Sequence, residues 1–267
     1  MCLRKHTCCW LSGVLIFAPL PLSANNRVEG DAVRAPMAVA DGRRTLQRFP
    51  ENIGRGIVGV FQKESLRPFL IGVAVTGLSS EFDDEVRDEI ADEGDETADF
   101  AADNLGPVGL GLVTLGLFIG GRRSTDQRFR DMSYDLGVAF VVNLGYTGVL
   151  KAVAGRERPD GSDDASFPSG HTSNAFALAS VASAHYGKSV GIPAYGLASL
   201  VGLSRLRSNA HWLSDVVAGA ALGHLVGLAV VRQNGSPFSI RLSAQRSVSF
   251  MPSLDSSFRG VVMGMNF

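Results

Sequence analysis

The second half of the chain contains five apolar segments that are rich in Gly, Ala, Ser, Val and Leu, at about 105–121, 132–153, 171–186, 190–205 and 212–231. Each is long enough for a helix, and small residues allow helices to approach closely. The links between them are short, apart from 154–170. With the apolar, glycine-containing stretch 51–80, these segments predict an all-α fold, a bundle of about six helices.

Three short clusters lie at the ends of the apolar segments: Lys-x6-Arg-Pro, Pro-Ser-Gly-His, and Ser-Arg-x5-His-x3-Asp. Their candidate functional residues are Lys151, Arg158, Ser169, Gly170, His171, Arg205, His211 and Asp215. They combine three cations for an anion, a histidine after a Ser-Gly turn, and a second histidine paired with a carboxylate. These groups suit attack on a phosphoester without a metal, so we expect no metal ligand and no cofactor.

Taken singly, these residues also have structural explanations. Lys151 and Arg158 could neutralise helix ends, His211 could be a buried histidine with satisfied hydrogen bonds, and Asp215 could be a carboxylate at a helix N-terminus. Their joint order and spacing favour a site. Arg156 lies in the first cluster without being part of its pattern, and it is interpreted as a supporting cation.

In this order and spacing, the clusters resemble the signature of the type 2 phosphatidic acid phosphatase family. Its superfamily also contains the bacterial non-specific acid phosphatases and the vanadium haloperoxidases. Every specified position from Lys151 to Asp215 is present, and the helical context extends the resemblance to about 105–232. The resemblance therefore implies a helical bundle with the active site at one end.

The resemblance also implies roles for the site residues. His211 is expected to be the nucleophile that forms a phosphohistidine, and His171 the general acid for the leaving group. Lys151, Arg158 and Arg205 are expected to surround the phosphoryl oxygens.

The local sequence adds three expectations to these roles. If the segment from His211 to Asp215 is helical, the two side chains share a face, and Asp215 can accept a hydrogen bond from His211. Ser169 and Gly170 are expected at a helix N-terminus, where backbone N–H groups bind phosphate and Ser169 serves as N-cap. His185 and His224 match no cluster and are interpreted as structural.

The leading functional hypothesis is a phosphatase for phosphate monoesters or diphosphates, with a phosphorylated lipid or a small phosphomonoester as substrate. One alternative is a vanadium-dependent haloperoxidase, in which vanadate would be a cofactor; in a phosphatase it would be an inhibitor. Another is a non-catalytic envelope scaffold. The net charge of −1 gives no support for a nucleic-acid partner.

The ends of the chain predict export and a change of structure. Residues 1–24 have the basic start, the apolar stretch and the small-residue end of a signal peptide, and all three cysteines lie there. Residues 25–50 are a polar lead-in, 51–232 the helical domain with its motif core at 105–232, and 233–267 a tail of short, strand-like segments. The tail is expected to form a small β-hairpin.

Residues 81–104 form a dense acidic run in which Phe82, Val86 and Ile90 recur every four residues. This pattern predicts a surface helix with a solvated acidic face. A calcium loop is a weaker alternative, because the run lacks the required ligand spacing.

Two locations fit these patterns. The apolar segments could span a bacterial inner membrane, or they could be core helices of a soluble periplasmic protein. In the membrane arrangement, the arginines from Arg122 to Arg130 lie in the cytoplasm, and the three clusters face the periplasm.

Overall fold

The computed structural model describes residues 42–91 and 107–235, together with the backbone of three strands between 239 and 266. The expected signal peptide and most of the polar lead-in lie outside the described residues. The same is true of positions 92–106, which include much of the acidic run.

The all-α prediction is confirmed. The described residues form eight α-helices: α1 (Phe49–Gly59), α2 (Lys63–Ser79), α3 (Asp83–Ile90), α4 (Pro107–Arg123), α5 (Gln127–Ala154), α6 (Gly170–Tyr186), α7 (Lys188–Arg207) and α8 (Leu213–Gly235). The five apolar segments correspond to α4–α8. The described helices exceed the expected six because residues 60–62 separate α1 from α2, and because the acidic run contributes the short α3.

Helix α5 is bounded by local signals at both ends. The Asp126 carboxylate caps its N-terminus by accepting the backbone N–H groups of Arg128 and Phe129. Gly155 ends it with φ of 50°, a left-handed conformation that glycine adopts without strain, and donates its N–H to Lys151 O. Lys151 is thereby held in the last turn of the helix.

Helices α6 and α8 pack backbone against backbone along a row of glycines. A Cβ added to Gly219 would lie 2.6 Å from Ser169 O, and one added to Gly223 would lie 2.0 Å from Ser173 O. Gly227 makes the third such approach, 2.7 Å from Ala177 O. This close contact fixes the N-terminus of α6, which carries the second cluster, against the N-terminal half of α8, which carries part of the third.

The core lies around α5. Tyr134, Val138 and Val142 are fully buried there against Val226 and Val230 of α8. The last residues of the polar lead-in pack against the helices, where Arg44 forms an ion pair with the buried carboxylate of Asp135 at 2.9 Å.

The C-terminal segments form a three-stranded antiparallel sheet with strand order β1 (Ser239–Leu242), β2 (Arg246–Asp255) and β3 (Phe258–Asn266). The strand-like tail is therefore present, with one strand more than a hairpin. Helix α8 extends to Gly235, slightly beyond the expected boundary at 232.

Two of the described helices, Gln127–Ala154 and Leu213–Gly235, are long and apolar enough to cross a membrane. About two fifths and one half of their most apolar windows are buried inside the protein. By length and composition alone, this is weak support for membrane insertion, because core helices of soluble proteins have the same properties.

Candidate functional site

The three sequence clusters meet at one end of α5, α6 and α8. The backbone N–H of Ser169 donates to Asp215 O at 3.0 Å, which joins the second cluster to the third. Arg158 Nη1 donates to Ala210 O at 3.0 Å, which joins the first cluster to the third. A Cβ added to Gly170 would lie 3.9 Å from Cε of Lys151, so the first and second clusters also adjoin.

His211 lies in the loop just before α8 and is 3% exposed. The expectation of a shared helical face is wrong in detail, because α8 begins at Leu213. Nδ1 of His211 is 3.7 Å from Oδ2 of Asp215, an ion-pair distance that is too long for a hydrogen bond. The two side chains are adjacent as expected, but the carboxylate is held mainly by other groups.

Asp215 occupies the third position of α8 and is completely buried. Its Oδ2 accepts the backbone N–H of Trp212 at 3.0 Å, the arrangement of a capping box, and also the hydroxyl of Ser166. Its Oδ1 accepts Nη1 of Arg156 at 2.8 Å. Asp215 thus has both the structural role of a helix N-terminal carboxylate and a position beside His211.

The cations of the first cluster contact the loop between α5 and α6. Nζ of Lys151 donates to the carbonyl of Ala165 and, at 3.3 Å, to that of Ser166. Nε of Arg158 donates to Asp163 at 2.7 Å. Both side chains are half-buried, and their charges act on His211. Both cations therefore lie close enough to His211 to act on its charge.

Arg205 and His171 form the other side of the cluster. Nη1 of Arg205 lies 3.4 Å from Nε2 of His171, and its Nη2 donates to the hydroxyl of Ser208. Arg205 is buried, whereas His171 is half-buried. The contact brings the expected general acid beside the expected third phosphate-binding cation.

Ser169 is the N-cap residue of α6, as predicted, but its side chain does not cap the helix. Its hydroxyl pairs with Oγ1 of Thr172 at 3.0 Å and is fully buried. Gly170 is the first residue of the helix. The N–H groups of this first turn are the part of α6 suited to an anion.

Burial lowers the pKa of His211 below its ordinary value of 6.5. The positive charges of Lys151 and Arg158 act in the same direction, whereas the Asp215 carboxylate opposes them. The site therefore favours the neutral imidazole, which is the nucleophilic form.

Asp83 was not anticipated as part of the site, and the expectation of a solvated acidic face is wrong for this residue. It is 6% exposed, and its carboxylate accepts Nη2 of Arg156 at 2.8 Å and the hydroxyl of Ser214 at 2.7 Å. Its neighbour Asp84 has a side chain that is 82% exposed, as predicted for the run. No sequence pattern separates these two adjacent aspartates.

Arg156 links two carboxylates. It donates to Asp215 and Asp83 at 2.8 Å each and lies 5.3 Å from the centre of the Trp212 ring. Its position inside the first cluster was the signal that it is a supporting cation.

The two histidines outside the clusters have partners elsewhere in the bundle. Nε2 of His185 is 2.9 Å from Oδ2 of Asp135, and Nδ1 of His224 is 2.6 Å from Oη of Tyr195. Neither contacts a residue of the three clusters in these bonds. Within 42–91 and 107–235, no group of three or more His, Cys, Asp or Glu side chains is arranged to hold a metal ion.

Comparison with known proteins places this site in a family context. Residues 133–237, which include all three clusters, match the family model of the PAP2 superfamily. A transmembrane PAP2-type phosphatidylglycerolphosphate phosphatase from Bacillus subtilis matches with 23% identity and a TM-score of 0.36, over 75% of this chain and 93% of that one.

Two curated relatives are similar in sequence. The lipid A 1-phosphatase of Porphyromonas gingivalis is 33% identical over 218 residues, which are 80% of this chain and 47% of that protein. A PA-phosphatase related-family protein of Dictyostelium discoideum is 31% identical over 158 residues, which are 48% of this chain and 58% of that protein. The matched regions thus cover about half the length of these relatives.

Proposed function

The chain belongs to the PAP2 superfamily, and on that premise we propose that it is a membrane-embedded phosphatase that hydrolyses a phosphate ester or diphosphate of a lipid. The single observation that carries this proposal is the meeting of the three clusters around His211. A buried neutral imidazole, an adjacent carboxylate and three cations are the groups that metal-independent phosphoryl transfer requires.

In the first step, Nε2 of His211 attacks the phosphorus atom, while Nδ1 faces Asp215. The bond from phosphorus to the ester oxygen breaks, and His171 gives its proton to the leaving oxygen. The imidazole becomes positively charged as the phosphohistidine forms, and the nearby Asp215 carboxylate stabilises that charge. Lys151, Arg158 and Arg205 stabilise the charge on the phosphoryl oxygens.

In the second step, water attacks the phosphohistidine, and the neutral His171 accepts its proton. The P–N bond breaks, and the electron pair returns to His211. Phosphate leaves, and both histidines regain their starting states, so the cycle balances.

An apolar groove beside the site supports a lipid substrate. It has a volume of about 310 Å³ and is lined by Val73 of α2, Leu150 of α5 and Leu222 of α8, together with Phe167 of the loop before α6. Phe167 immediately precedes the second cluster, and Leu150 immediately precedes Lys151. A phosphate held by the cations would therefore leave the apolar part of its molecule at the mouth of this groove. The name of the P. gingivalis relative supports a lipid A phosphate as one candidate.

The outer surface of the helices supports a membrane location. Large apolar side chains are more than half exposed on several helices, among them Leu70 at 55%, Leu112 at 65%, Ile192 at 71% and Leu197 at 66%. Soluble proteins rarely expose so much apolar surface, whereas such side chains are stable in lipid.

The distribution of arginines supports a periplasmic active site. Arg122, Arg123, Arg128 and Arg130 lie at the opposite end of α5 from Lys151. A helix of 28 residues is about 42 Å long, so it can separate the two ends by a bilayer. The positive-inside rule then puts the arginines in the cytoplasm and the site outside. Asp160→Cys, in the exposed loop near the site, should react with a membrane-impermeant maleimide in intact bacterial cells, and Ser124→Cys should not.

The function is tested by phosphate release from purified protein in detergent, in the presence of EDTA. Substrates are phosphatidate, lipid A and p-nitrophenyl phosphate, and the variants are His211→Ala and, as a control outside the clusters, His224→Gln. We expect lipid phosphate hydrolysis that survives EDTA, is lost in His211→Ala and is retained in His224→Gln. Loss with EDTA, or retention in His211→Ala, would contradict the proposal.

A further inference from the structure

The N-terminus of α8 is held by a carboxylate from a distant part of the chain. Oδ1 of Asp83, in the first turn of α3, accepts the backbone N–H of Ser214 at 2.8 Å, and Oδ2 accepts the Ser214 hydroxyl at 2.7 Å. The same Oδ2 accepts Nη2 of Arg156 at 2.8 Å. Asp83 therefore contacts both the helix that carries Asp215 and the cation that binds Asp215.

Asp83, Arg156 and Asp215 form a continuous charged chain, which we call the carboxylate clamp. The guanidinium of Arg156 bridges two buried carboxylates, those of Asp83 and Asp215. Two carboxylates and one guanidinium leave one net negative charge in the clamp. Because both carboxylates are buried, solvent screens their charge only in part, although it reaches Arg156, whose side chain is 32% exposed.

We propose that Asp83 is a positioning residue for the proposed phosphatase reaction, acting through Arg156 and Ser214 to set the charge and place of Asp215 beside the nucleophile. The inference rests on the proposed function and adds a residue from outside the three clusters. Asp83 touches no reacting atom. Asp83 and Asp215 both accept hydrogen bonds from Arg156. The positive charge of Arg156 is therefore divided between two carboxylates and does not neutralise Asp215 alone.

Several charged groups surround His211, and all of them affect the stability of its protonated form. Asp215 faces it from α8, and Lys151 and Arg158 act on it from the end of α5 and the following loop. Asp83 and Arg87 of α3 line the same small cavity as His211. Among the more distant groups, Arg205 of α7 contacts His171. The clamp thus supplies the negative charge that offsets this group of cations.

This arrangement predicts opposite effects for two substitutions. Asp83→Asn keeps an oxygen that can accept the Ser214 N–H but leaves the clamp neutral, so protonated His211 becomes less stable. Arg156→Gln leaves the clamp with two negative charges, so protonated His211 becomes more stable. The acid limb of kcat/KM, which reports the free enzyme, should therefore move to lower pH in Asp83→Asn and to higher pH in Arg156→Gln.

The reaction itself should slow when Asp83 is neutralised, because His211 gains positive charge as it attacks. We expect kcat of Asp83→Asn to fall about tenfold, the rate effect of one pK unit of lost stabilisation, with KM changed less than twofold. Asp83→Glu restores the charge and should return the limb to the wild-type pH, even if kcat recovers only in part. Asp84→Asn makes the same charge change on the same helix at an exposed position, and its profile should match the wild type.

The experiment measures kcat and KM against pH for the four variants and the wild type, with thermal unfolding of each protein in the same detergent. If Asp83 served only as a structural cap for Ser214, Asp83→Asn would lower thermal stability, but the acid limbs of Asp83→Asn and Arg156→Gln would not move apart. If the acid limbs of these two variants stay at the wild-type pH or move in the same direction, the inference is overturned, whereas the proposed phosphatase function still stands. If the wild type releases no phosphate, the proposed function fails instead. If Asp83→Asn does not fold, the pH profiles of Arg156→Gln and Asp83→Glu decide. The inference is overturned if the acid limb of Arg156→Gln stays at the wild-type pH, or if that of Asp83→Glu moves away from it.

Discussion

Nδ1 of His211 lies 3.7 Å from Oδ2 of Asp215, and the two residues stand on either side of the point where α8 begins. The histidine is in the preceding loop, while the carboxylate is fixed by the first turn of the helix through the N–H of Trp212. The helix start thus places a rigid anion beside a buried imidazole. The proposed mechanism depends on this pairing.

Removing the charge of Asp215 should reduce turnover strongly. In Asp215→Asn, the positive imidazole of the phosphohistidine loses its counter-charge, and we expect kcat to fall roughly 10³- to 10⁴-fold, as for the orienting aspartate of a catalytic triad. KM should change little. Steady-state kinetics check this, with Asp164→Asn as a control in the exposed loop near the site. A kcat within tenfold of the wild type would contradict the prediction.

The wild-type pH profile should reflect the lowered pKa of His211. Because burial disfavours the protonated form, neutral imidazole persists below the ordinary pKa of 6.5. Activity should therefore be retained as the pH falls through 6.5 and be lost only at more acidic pH, where His211 takes up a proton. A profile of kcat/KM against pH tests the sign of this shift, and an acid limb above pH 6.5 would contradict it.

The cation on α7 should bind the phosphoryl oxygens. Arg205→Ala is expected to weaken competitive inhibition by vanadate or inorganic phosphate by about ten- to 100-fold, since a charge-assisted hydrogen bond contributes about 1.5–3 kcal/mol. Arg207→Ala removes an exposed arginine two positions along the same helix and should have no such effect. The inhibition constants of vanadate and phosphate are measured for both variants. Equal constants in Arg205→Ala and Arg207→Ala would exclude Arg205 as a phosphate ligand.

The apolar groove should discriminate lipid from soluble substrates. Val73 lines the groove on α2, so Val73→Trp should obstruct it and raise KM for a long-chain lipid phosphate at least several-fold. Hydrolysis of p-nitrophenyl phosphate should be unchanged, because that substrate needs no groove. Val75→Trp lies on the same helix outside the groove and serves as the control. Equal losses on both substrates would show that the groove does not bind the lipid chain.

The glycine row between α6 and α8 should be intolerant of side chains. In Gly223→Ala the new Cβ would lie 2.0 Å from Ser173 O, so the helices must separate. We expect destabilisation of about 1–3 kcal/mol, the usual cost of overpacking. Gly145→Ala, with no atom within 4 Å of its Cβ position, should be neutral or slightly stabilising. Unfolding in detergent measures both, and equal stability of the two variants would contradict the packing argument.

The helices and the three clusters were predictable from the sequence because their signals are local. Apolar runs of helical length indicated α4–α8 within a few residues, and the spacing of the clusters indicated which side chains meet. The Gly, Ala and Ser content indicated close helix packing, which Gly219, Gly223 and Gly227 confirm. The roles assigned to the site residues stay predictions that the experiments above test.

The part played by Asp83 could not be predicted, since it depends on a contact across 131 positions of the chain. Asp83 and Asp84 are chemically identical and adjacent, and only the docking of α3 on α8 buries one and exposes the other. The exact start of α8 was also beyond the sequence pattern. The spacing of His211 and Asp215 suits a helical face, but the helix begins between them.

The covalent intermediate on His211 can be sought directly. Protein is mixed with substrate carrying a radioactive phosphoryl group and quenched rapidly, and the label is mapped by peptide analysis in the wild type, His171→Ala and His211→Ala. We expect an acid-labile, base-stable label on His211 in the wild type, and none in His211→Ala. A larger amount is expected in His171→Ala with a substrate whose leaving group needs no protonation, because hydrolysis of the intermediate is then slowed. Label on another residue, or hydrolysis by His211→Ala at the wild-type rate, would contradict it.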